Sequence, residues 1–180
     1  KTFGGMSESM SEAAQTLCDA SGNLRRIADT ADDLVLGVPM AGFETPDSKL
    51  INLVIERAQH VSGLFEEAVA KGDIGIDALF DRNYEPVPGS NPEQFMAKFT
   101  DFTDRVLTPV QEDVLKGDPS IVYCAAVDEN GYLPTHNLKF SRPQGDDPVW
   151  NMAHCRNRRI FNDRAGLRAA RNEKPVLMQT

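Results

Sequence analysis

The stretch Ile121-Val-Tyr-Cys-Ala-Ala-Val-Asp-Glu-Asn-Gly-Tyr-Leu-Pro-Thr-His-Asn137 decides the fold class of this chain. Its first seven residues are apolar and include several β-formers, which is typical of a strand. Asn130-Gly131 is a strong short-range signal for a tight hairpin turn, and the residues after it return as a second extended segment. The stretch therefore predicts an antiparallel hairpin.

Helical patterns precede this hairpin. From about Met6 to Val35, apolar or small residues recur at alternating steps of three and four, which is the spacing of a coiled coil. Two prolines and two glycines between 37 and 46 predict the end of that helix and a linker. The expected seam consists of Met6, Met10, Ala13, Leu17, Ser21, Leu24, Ala28, Ala31 and Val35.

Three further helices are expected before the hairpin. The second begins at the capping residues Asp47 and Ser48 and ends near Gly72, and a short one covers 76–80. The third begins at Asn91, kinks at Pro109 and stops near Gly117. The predicted apolar faces are Leu50, Val54, Val61, Leu64, Phe65 and Ala68 in the second helix, and Phe95, Phe99, Phe102, Val106 and Val110 in the third.

After the hairpin we expect a helix from Pro148 to about Phe161 and a last strand over 175–180. The fold class is therefore α+β: a long coiled-coil helix, a helical segment and a small antiparallel sheet that is incomplete at its C-terminal end. The predicted divisions are 1–36 for the coiled coil, 37–47 for the linker and 48–180 for the α+β domain.

The charge of the chain limits its partners. A net charge of −8 argues against a general nucleic-acid binder, because phosphates repel an acidic surface. The segment 156–174 nevertheless holds seven basic residues and two acidic ones, so it either pairs with the acidic body or binds an anion. The three cysteines include no CxxC pair, which predicts reduced thiols.

Catalytic signals are missing from the sequence. There is no glycine-rich phosphate loop, no GxSxG and no HExxH motif. His154 and Cys155 are adjacent, so on a helix they point about 100° apart and do not face each other. We therefore predict a protein that is not an enzyme and has no cofactor or metal. A haem sensor with axial ligands among His136, His154 and Cys155 is an alternative.

The predicted ligand site combines the hairpin with the helix after it. Asp128, Tyr132, His136 and Asn137 are expected near one end of the sheet. On the expected helix, Arg156 and Arg159 share a face and offer bidentate contacts to a carboxylate or phosphate. Trp150 completes the ligand-binding set, which would suit a small anion.

Each of these residues also has a structural alternative. Asp128 is a natural turn residue, and His136 and Asn137 are able to bond the loop backbone. Trp150 is a candidate core anchor. Arg158 or Arg159 has possible carboxylate partners in Asp163 and in the acids of the helices.

Two segments together resemble a known family. The residues Asp128-Glu-Asn-Gly-Tyr-Leu-Pro-Thr-His-Asn137 and Asn157-Arg-Arg-Ile-Phe-Asn-Asp163, with Phe80 to Phe95 upstream, resemble the C-terminal sensor region of one group of methyl-accepting chemotaxis proteins. The resemblance spans roughly Leu50 to Thr180. The helix from Met6 to Val35 is similar to the end of the signalling coiled coil that precedes such sensors.

The resemblance implies a PAS-like or Cache-like sheet with a pocket, in a receptor that dimerises through its helices. It implies that a coupling protein and a histidine kinase bind an upstream region absent from this chain. It also implies cytoplasmic placement of this region, whether or not the parent receptor is anchored in a membrane. In such families further strands follow the position of Thr180. The alternatives to ligand sensing are a structural domain that dimerises and caps the receptor, and a haem or redox sensor.

Overall fold

The computed structural model describes the backbone of residues 2–179 and the side chains of all of these except residues 2–8, 36 and 40. The chain divides into two compact units, Lys1–Ile51 with Val176–Thr180, and Asn52–Pro175. The elements in chain order are α1 (Thr2–Met40), α2 (Ser48–Lys71), α3 (Ile76–Leu79), β1 (Glu85–Pro86), β2 (Phe95–Met96), α4 (Thr100–Gly117), β3 (Tyr132–Leu133), a 3₁₀ turn (Leu138–Phe140), α5 (Pro148–His154), β4 (Arg159–Ile160) and α6 (Arg164–Ala170).

Helix α1 is a single helix of 39 residues. It continues through Gly37 and Pro39, so the prediction that it ends before residue 37 is wrong. Pro39 lies in the last turn, where it removes the one hydrogen bond that an amide at this position would donate to the carbonyl four residues earlier. The helix stops where Gly42 adopts a positive φ of 88°, a conformation that glycine takes readily. The side chain of Met6, part of the predicted seam, lies outside the described residues.

Helices α2 and α3 confirm the predicted second and short helices, with bounds that differ by one residue at most. The predicted apolar face of α2 is correct toward its C-terminal end, where Ala68 is buried. It is wrong at Leu50 and Val54, which are exposed.

Helix α4 begins nine residues later than predicted. Asn91 and Pro92 lie in a loop, and Phe95 belongs to strand β2, which pairs antiparallel with β1 in the register Pro86↔Phe95. The helix ends at Gly117 as predicted and contains Pro109. Its buried face includes Phe102 and Val110, while Val106 is partly buried against the core.

The predicted hairpin is half correct. The turn forms, because the Gly131 amide donates to the Asp128 carbonyl at 2.9 Å. Strand β3 then pairs antiparallel with β4, with Tyr132 opposite Ile160, and residues 121–127 form no strand. Within 121–127, only the amides of Ile121 and Cys124 have a hydrogen-bond acceptor among the described residues.

The C-terminal predictions need correction as well. The predicted helix from Pro148 to Phe161 ends at His154, and the chain returns as β4. Helix α6 was not predicted; the Asp163 carboxylate caps it by accepting from the Gly166 amide at 2.9 Å. Residues 175–179 form no strand, and Thr180 lies outside the described residues.

The core lies where α2, α4 and β3 meet. Ala68, Ile74, Phe99, Phe102 and Tyr132 form one buried cluster. All seven residues from Gly131 to Asn137 are buried. The fold is thus mixed α and β, with two small antiparallel sheets of two strands each in the described part of the chain. Among the described residues, no helix combines the length and apolarity needed to cross a membrane.

Candidate functional site: an arginine pair and a polar cleft

Asp128 holds the turn. Its Oδ1 accepts from the amides of Asn130 and Tyr132, each at 3.0 Å. Its Oδ2 accepts from the Tyr84 hydroxyl at 2.6 Å. Burial and this bond to Asp128 raise the pKa of Tyr84 to about 12. The alternative that Asp128 is a turn residue is confirmed.

Tyr132 is fully buried and anchors the sheet to α4. Its hydroxyl donates to the Phe95 carbonyl at 2.9 Å and lies 2.8 Å from Thr100 Oγ1. Because the single Tyr132 proton is used on the Phe95 carbonyl, the threonine hydroxyl is the donor toward Tyr132, and its oxygen also accepts from the Ala97 amide. Burial raises the pKa of Tyr132 to about 12. Both hydrogen-bonding functions of this hydroxyl are therefore used inside the protein.

The side-chain amide of Asn137 is also used in hydrogen bonds to the backbone. Its Oδ1 accepts from the Cys124 amide at 2.8 Å, and its Nδ2 donates to the Gln111 carbonyl at 3.0 Å. A second Nδ2 bond, also 3.0 Å, goes to Glu112. These bonds join the 121–127 segment to α4. They confirm the alternative in which Asn137 bonds the loop backbone.

His136 is buried between the aromatic rings of Tyr123 and Phe140, with centroid distances of 5.4 and 4.8 Å. Its Nδ1 accepts from the Asn137 amide at 2.8 Å. Burial, together with the positive charges of Arg156 and Lys139, lowers the pKa of His136 to about 4. The imidazole is therefore neutral at pH 7, with its proton on Nε2.

Trp150 lies away from the core. Trp150 is an exposed residue of α5, and its ring packs against the His154 ring with 4.7 Å between the centroids. The alternative of a core anchor is wrong for this residue. The buried residue of α5 is instead Asn151, whose Nδ2 donates to the carbonyls of Asn91 and Gly145, each at 2.8 Å.

Arg156 and Arg159 come together, but not on a helix. Because α5 ends at His154, Arg159 lies in β4, and the predicted shared helix face is wrong. Instead, both guanidinium carbons lie near one ring, at 5.1 and 5.2 Å from the centroid of Phe161. Burial and the charge of Arg156 lower the pKa of Arg159.

This arginine pair has no carboxylate partner among the described residues. Arg159 donates only to the carbonyl and sulfur of Met152, at 3.5 and 3.3 Å, and Arg156 makes only the ring contact. Arg158 does pair with an acid, since its Nη2 lies 2.9 Å from Asp104 Oδ2 on α4. The alternative in which one of these arginines pairs with an acid of a helix is confirmed for Arg158.

A polar cleft of about 390 Å³ opens beside α4. Sequence reasoning missed most of its residues, because they come from α4, from the loop after β3 and from the turn before β4. In the turn before β4, Arg158 has a positive φ, and no sequence pattern predicts this conformation. The lining residues are Gln94, Asp104, Thr108, Thr135, His136, Leu138, Ser141, Arg142, Pro143, Asn157 and Arg158.

The predicted site residues thus fall into separate groups. Asp128, Tyr132 and Asn137 are structural, His136 lines the cleft, and Arg156 with Arg159 surrounds Phe161. No protein-family model matches this chain, and no curated protein or solved structure matches it either. Among the described residues, no group of three or more histidine, cysteine or acidic side chains is placed to hold a metal ion.

Proposed function

We propose that this chain is the sensor region of a chemotaxis receptor and that a small anion binds to Arg156 and Arg159. The observation that carries the ligand class is the contact of both guanidinium groups with Phe161, where the described residues place no carboxylate beside them. Two like charges on one ring repel each other, and an anion between them would remove that repulsion.

Helix α1 supports the dimeric part of the proposal. Two rows of apolar or small residues repeat every seven positions along it, which is the pattern of a coiled-coil seam. Leu17 and Leu24 in the first row are 71% and 67% exposed, so this chain alone does not cover them. These rows differ from the seam first predicted, because Ala20, Ile27 and Leu34 take the places of Ser21, Ala28 and Val35. The rows are Met10, Leu17, Leu24, Ala31 and Val38, and Ala13, Ala20, Ile27 and Leu34.

In this proposal the α+β part is a PAS-like or Cache-like sensor in the cytoplasm. A ligand that prefers one state of the sensor shifts the population toward that state. The shift then reaches α1, whose partner helices connect to the upstream region that binds a coupling protein and a histidine kinase. The resemblance at 128–137 and 157–163 carries this receptor assignment.

A thermal-shift screen tests the ligand. The full chain is mixed with small organic acids, amino acids and nucleotides beside the variant Arg156→Ala/Arg159→Ala. A control variant, Arg105→Ala/Arg164→Ala, removes the same charge from exposed positions outside the pair. A ligand at a hundredfold excess over its dissociation constant stabilises the parent by about 2.7 kcal/mol. We expect a shift in the parent and the control that the Arg156→Ala/Arg159→Ala variant loses; no shift with any compound contradicts the proposal.

A structural domain is the second candidate function. The observation that favours it is that residues 131–137 are wholly buried and that Tyr132 and Asn137 have their polar atoms bonded internally. Such a domain would only dimerise and cap the receptor. Kinase control in the full-length receptor distinguishes the two: Ala28→Leu/Ala31→Leu on α1 should alter it if α1 conducts a signal, and leave it unchanged if the domain only caps.

A further inference from the structure

The cleft beside α4 has the properties of a binding site distinct from the arginine pair. Its volume of about 390 Å³ lies in the range of small-molecule pockets. Neither Arg156 nor Arg159 lines it. Its walls come from four separate parts of the chain, represented by Gln94 before β2, Asp104 on α4, Ser141 after β3 and Arg158 before β4. The cleft is therefore built by the tertiary fold.

Arg158 has an unusual backbone conformation. Its φ is 61°, a left-handed conformation that non-glycine residues rarely adopt. The backbone compensates, because the Arg158 amide donates to the Leu133 carbonyl and its carbonyl accepts from the Phe95 amide, each at 2.6 Å. These two bonds fix where the guanidinium enters the cleft.

The Arg158 guanidinium has donor capacity to spare. Within the described chain it uses only Nη2, in the 2.9 Å pair with Asp104. Its Nε has no acceptor there and is buried, so a ligand in the open cleft does not reach it. Nη1 has no described acceptor either and is not buried, so it is the donor that a ligand oxygen can contact. A carboxylate suits this donor, because a hydrogen bond between a guanidinium and a carboxylate is charge-assisted.

The charge balance of the lining limits the ligand to one negative charge. Arg142 and Arg158 are the cations and Asp104 the only carboxylate among the lining residues. His136 is neutral at pH 7, because burial lowers its pKa to about 4. The side chain of Arg142 is exposed and has no acid within reach among the described residues, so it remains available.

The hydroxyl groups of the lining require donors from the ligand. Thr108 donates its proton to the Asp104 carbonyl, and Ser141 donates to the His136 carbonyl. The Thr135 hydroxyl donates to Asp104 Oδ1 at 2.6 Å. Because these protons are used, the hydroxyl oxygens offer only lone pairs to the cleft. A ligand matches them with hydroxyl groups of its own.

We infer that this cleft binds a small hydroxylated monocarboxylate, with its carboxylate on Arg158 and Arg142 and its hydroxyls on the threonine and serine oxygens. Leu138 and Pro143 are the two apolar residues of the lining, and polar atoms make up the larger part of the cleft surface. Binding at this cleft does not depend on the receptor assignment or on the arginine pair.

Isothermal titration of the full chain tests this inference with aldonates of three, four and six carbons: glycerate, threonate and gluconate. Acetate has the charge without the hydroxyls, and sorbitol has the hydroxyls without the charge. We expect at least one aldonate to bind at least tenfold more tightly than either control compound. If no aldonate binds, or if acetate binds equally well, the inference is overturned.

Two variants place the binding in the cleft. Arg158→Asn removes the guanidinium and keeps a residue that tolerates positive φ, and it should weaken aldonate binding at least tenfold. Arg142→Gln changes an exposed side chain, so it keeps the test valid even if the first variant fails to fold. Arg105→Gln changes an exposed arginine outside the lining and the arginine pair, and it should leave aldonate binding unchanged. Full binding in both cleft variants, or an equal loss in Arg105→Gln, would refute the cleft as the site.

Discussion

The Phe161 amide donates a 2.8 Å hydrogen bond to the Gly131 carbonyl, and this bond closes the pairing of β3 with β4. The two backbones approach so closely that a Cβ on Gly131 would collide with the Phe161 carbonyl oxygen. Gly131 also has a φ of 80°, which side chains rarely allow. One glycine therefore permits both the turn and the sheet.

Gly131→Ala should destabilise the fold strongly. The backbone conformation alone costs an alanine about 1–3 kcal/mol, and the total loss should be larger. The collision adds to that cost, because Phe161 backbone atoms have to move. Urea unfolding followed by circular dichroism measures it. Gly145→Ala is the matched control, since a Cβ there meets no atom within 4 Å. Equal stability of the two variants would contradict the close approach.

Tyr132→Phe should lower the free energy of unfolding by about 1–3 kcal/mol, because the partly buried Phe95 carbonyl loses its side-chain donor and the buried Thr100 hydroxyl loses its acceptor. Tyr123→Phe is the control: Tyr123 is 59% exposed, and its hydroxyl has no described hydrogen bond. We expect the control to unfold like the parent. A loss of similar size in both variants would show that the Tyr132 bonds are not the cause.

The protein should lose stability between about pH 6.5 and pH 4 through His136. Its pKa falls from 6.5 to about 4 on folding, so the unfolded chain binds more protons in this window and stability rises with pH. Relative to His136→Gln, the parent should lose on the order of 2 kcal/mol by pH 4. Chemical denaturation at several pH values measures this difference.

The control for this pH dependence is His60→Gln, at an exposed position on α2. Carboxylates titrate in the same range in all three proteins, so only the difference between parent and His136→Gln reports on the imidazole. An unchanged slope in His136→Gln would mean that another group carries the effect.

Leu24→Ser/Ile27→Ser on α1 should weaken self-association at least a hundredfold. Burying each of these side chains in a dimer contributes about 1.5 kcal/mol or more to the free energy of association, and both copies of the helix contribute. Analytical ultracentrifugation over a range of concentrations measures the dissociation constant. Gln15→Ser changes a position outside both apolar rows and should dimerise like the parent. A parent that stays monomeric at all concentrations would refute the seam.

The helices were predictable where local signals and packing agree. Ser48 to Lys71 has a capping start, a 3.6-residue apolar period and a glycine after its end, and α2 forms there. The start of α4 was not predictable, because Phe95 and Phe99 fit a helical period although Phe95 pairs with β1. Periodicity cannot distinguish a helix from a short strand that leads into one.

The candidate site was less predictable, because it depends on long-range pairing. Asp128 and Asn137 offer the same polar atoms to a ligand or to the backbone, and only the fold shows that the backbone has taken them. Arg156 and Arg159 were correctly grouped for a wrong reason: a common ring, not a helix face, joins them. Arg158 was not proposed as a ligand contact, since its positive φ follows from bonds to two distant strands.

The segment 121–127 has a consequence for handling the protein. Its seven uncharged residues leave the amides of Val122, Tyr123, Ala125, Ala126 and Val127 without a described acceptor. An uncharged stretch with high β-propensity and open backbone groups is a seed for intermolecular aggregation. Asp118 on one side and Asp128 with Glu129 on the other act as gatekeepers, so neutralising these acids would make the protein precipitate through this segment.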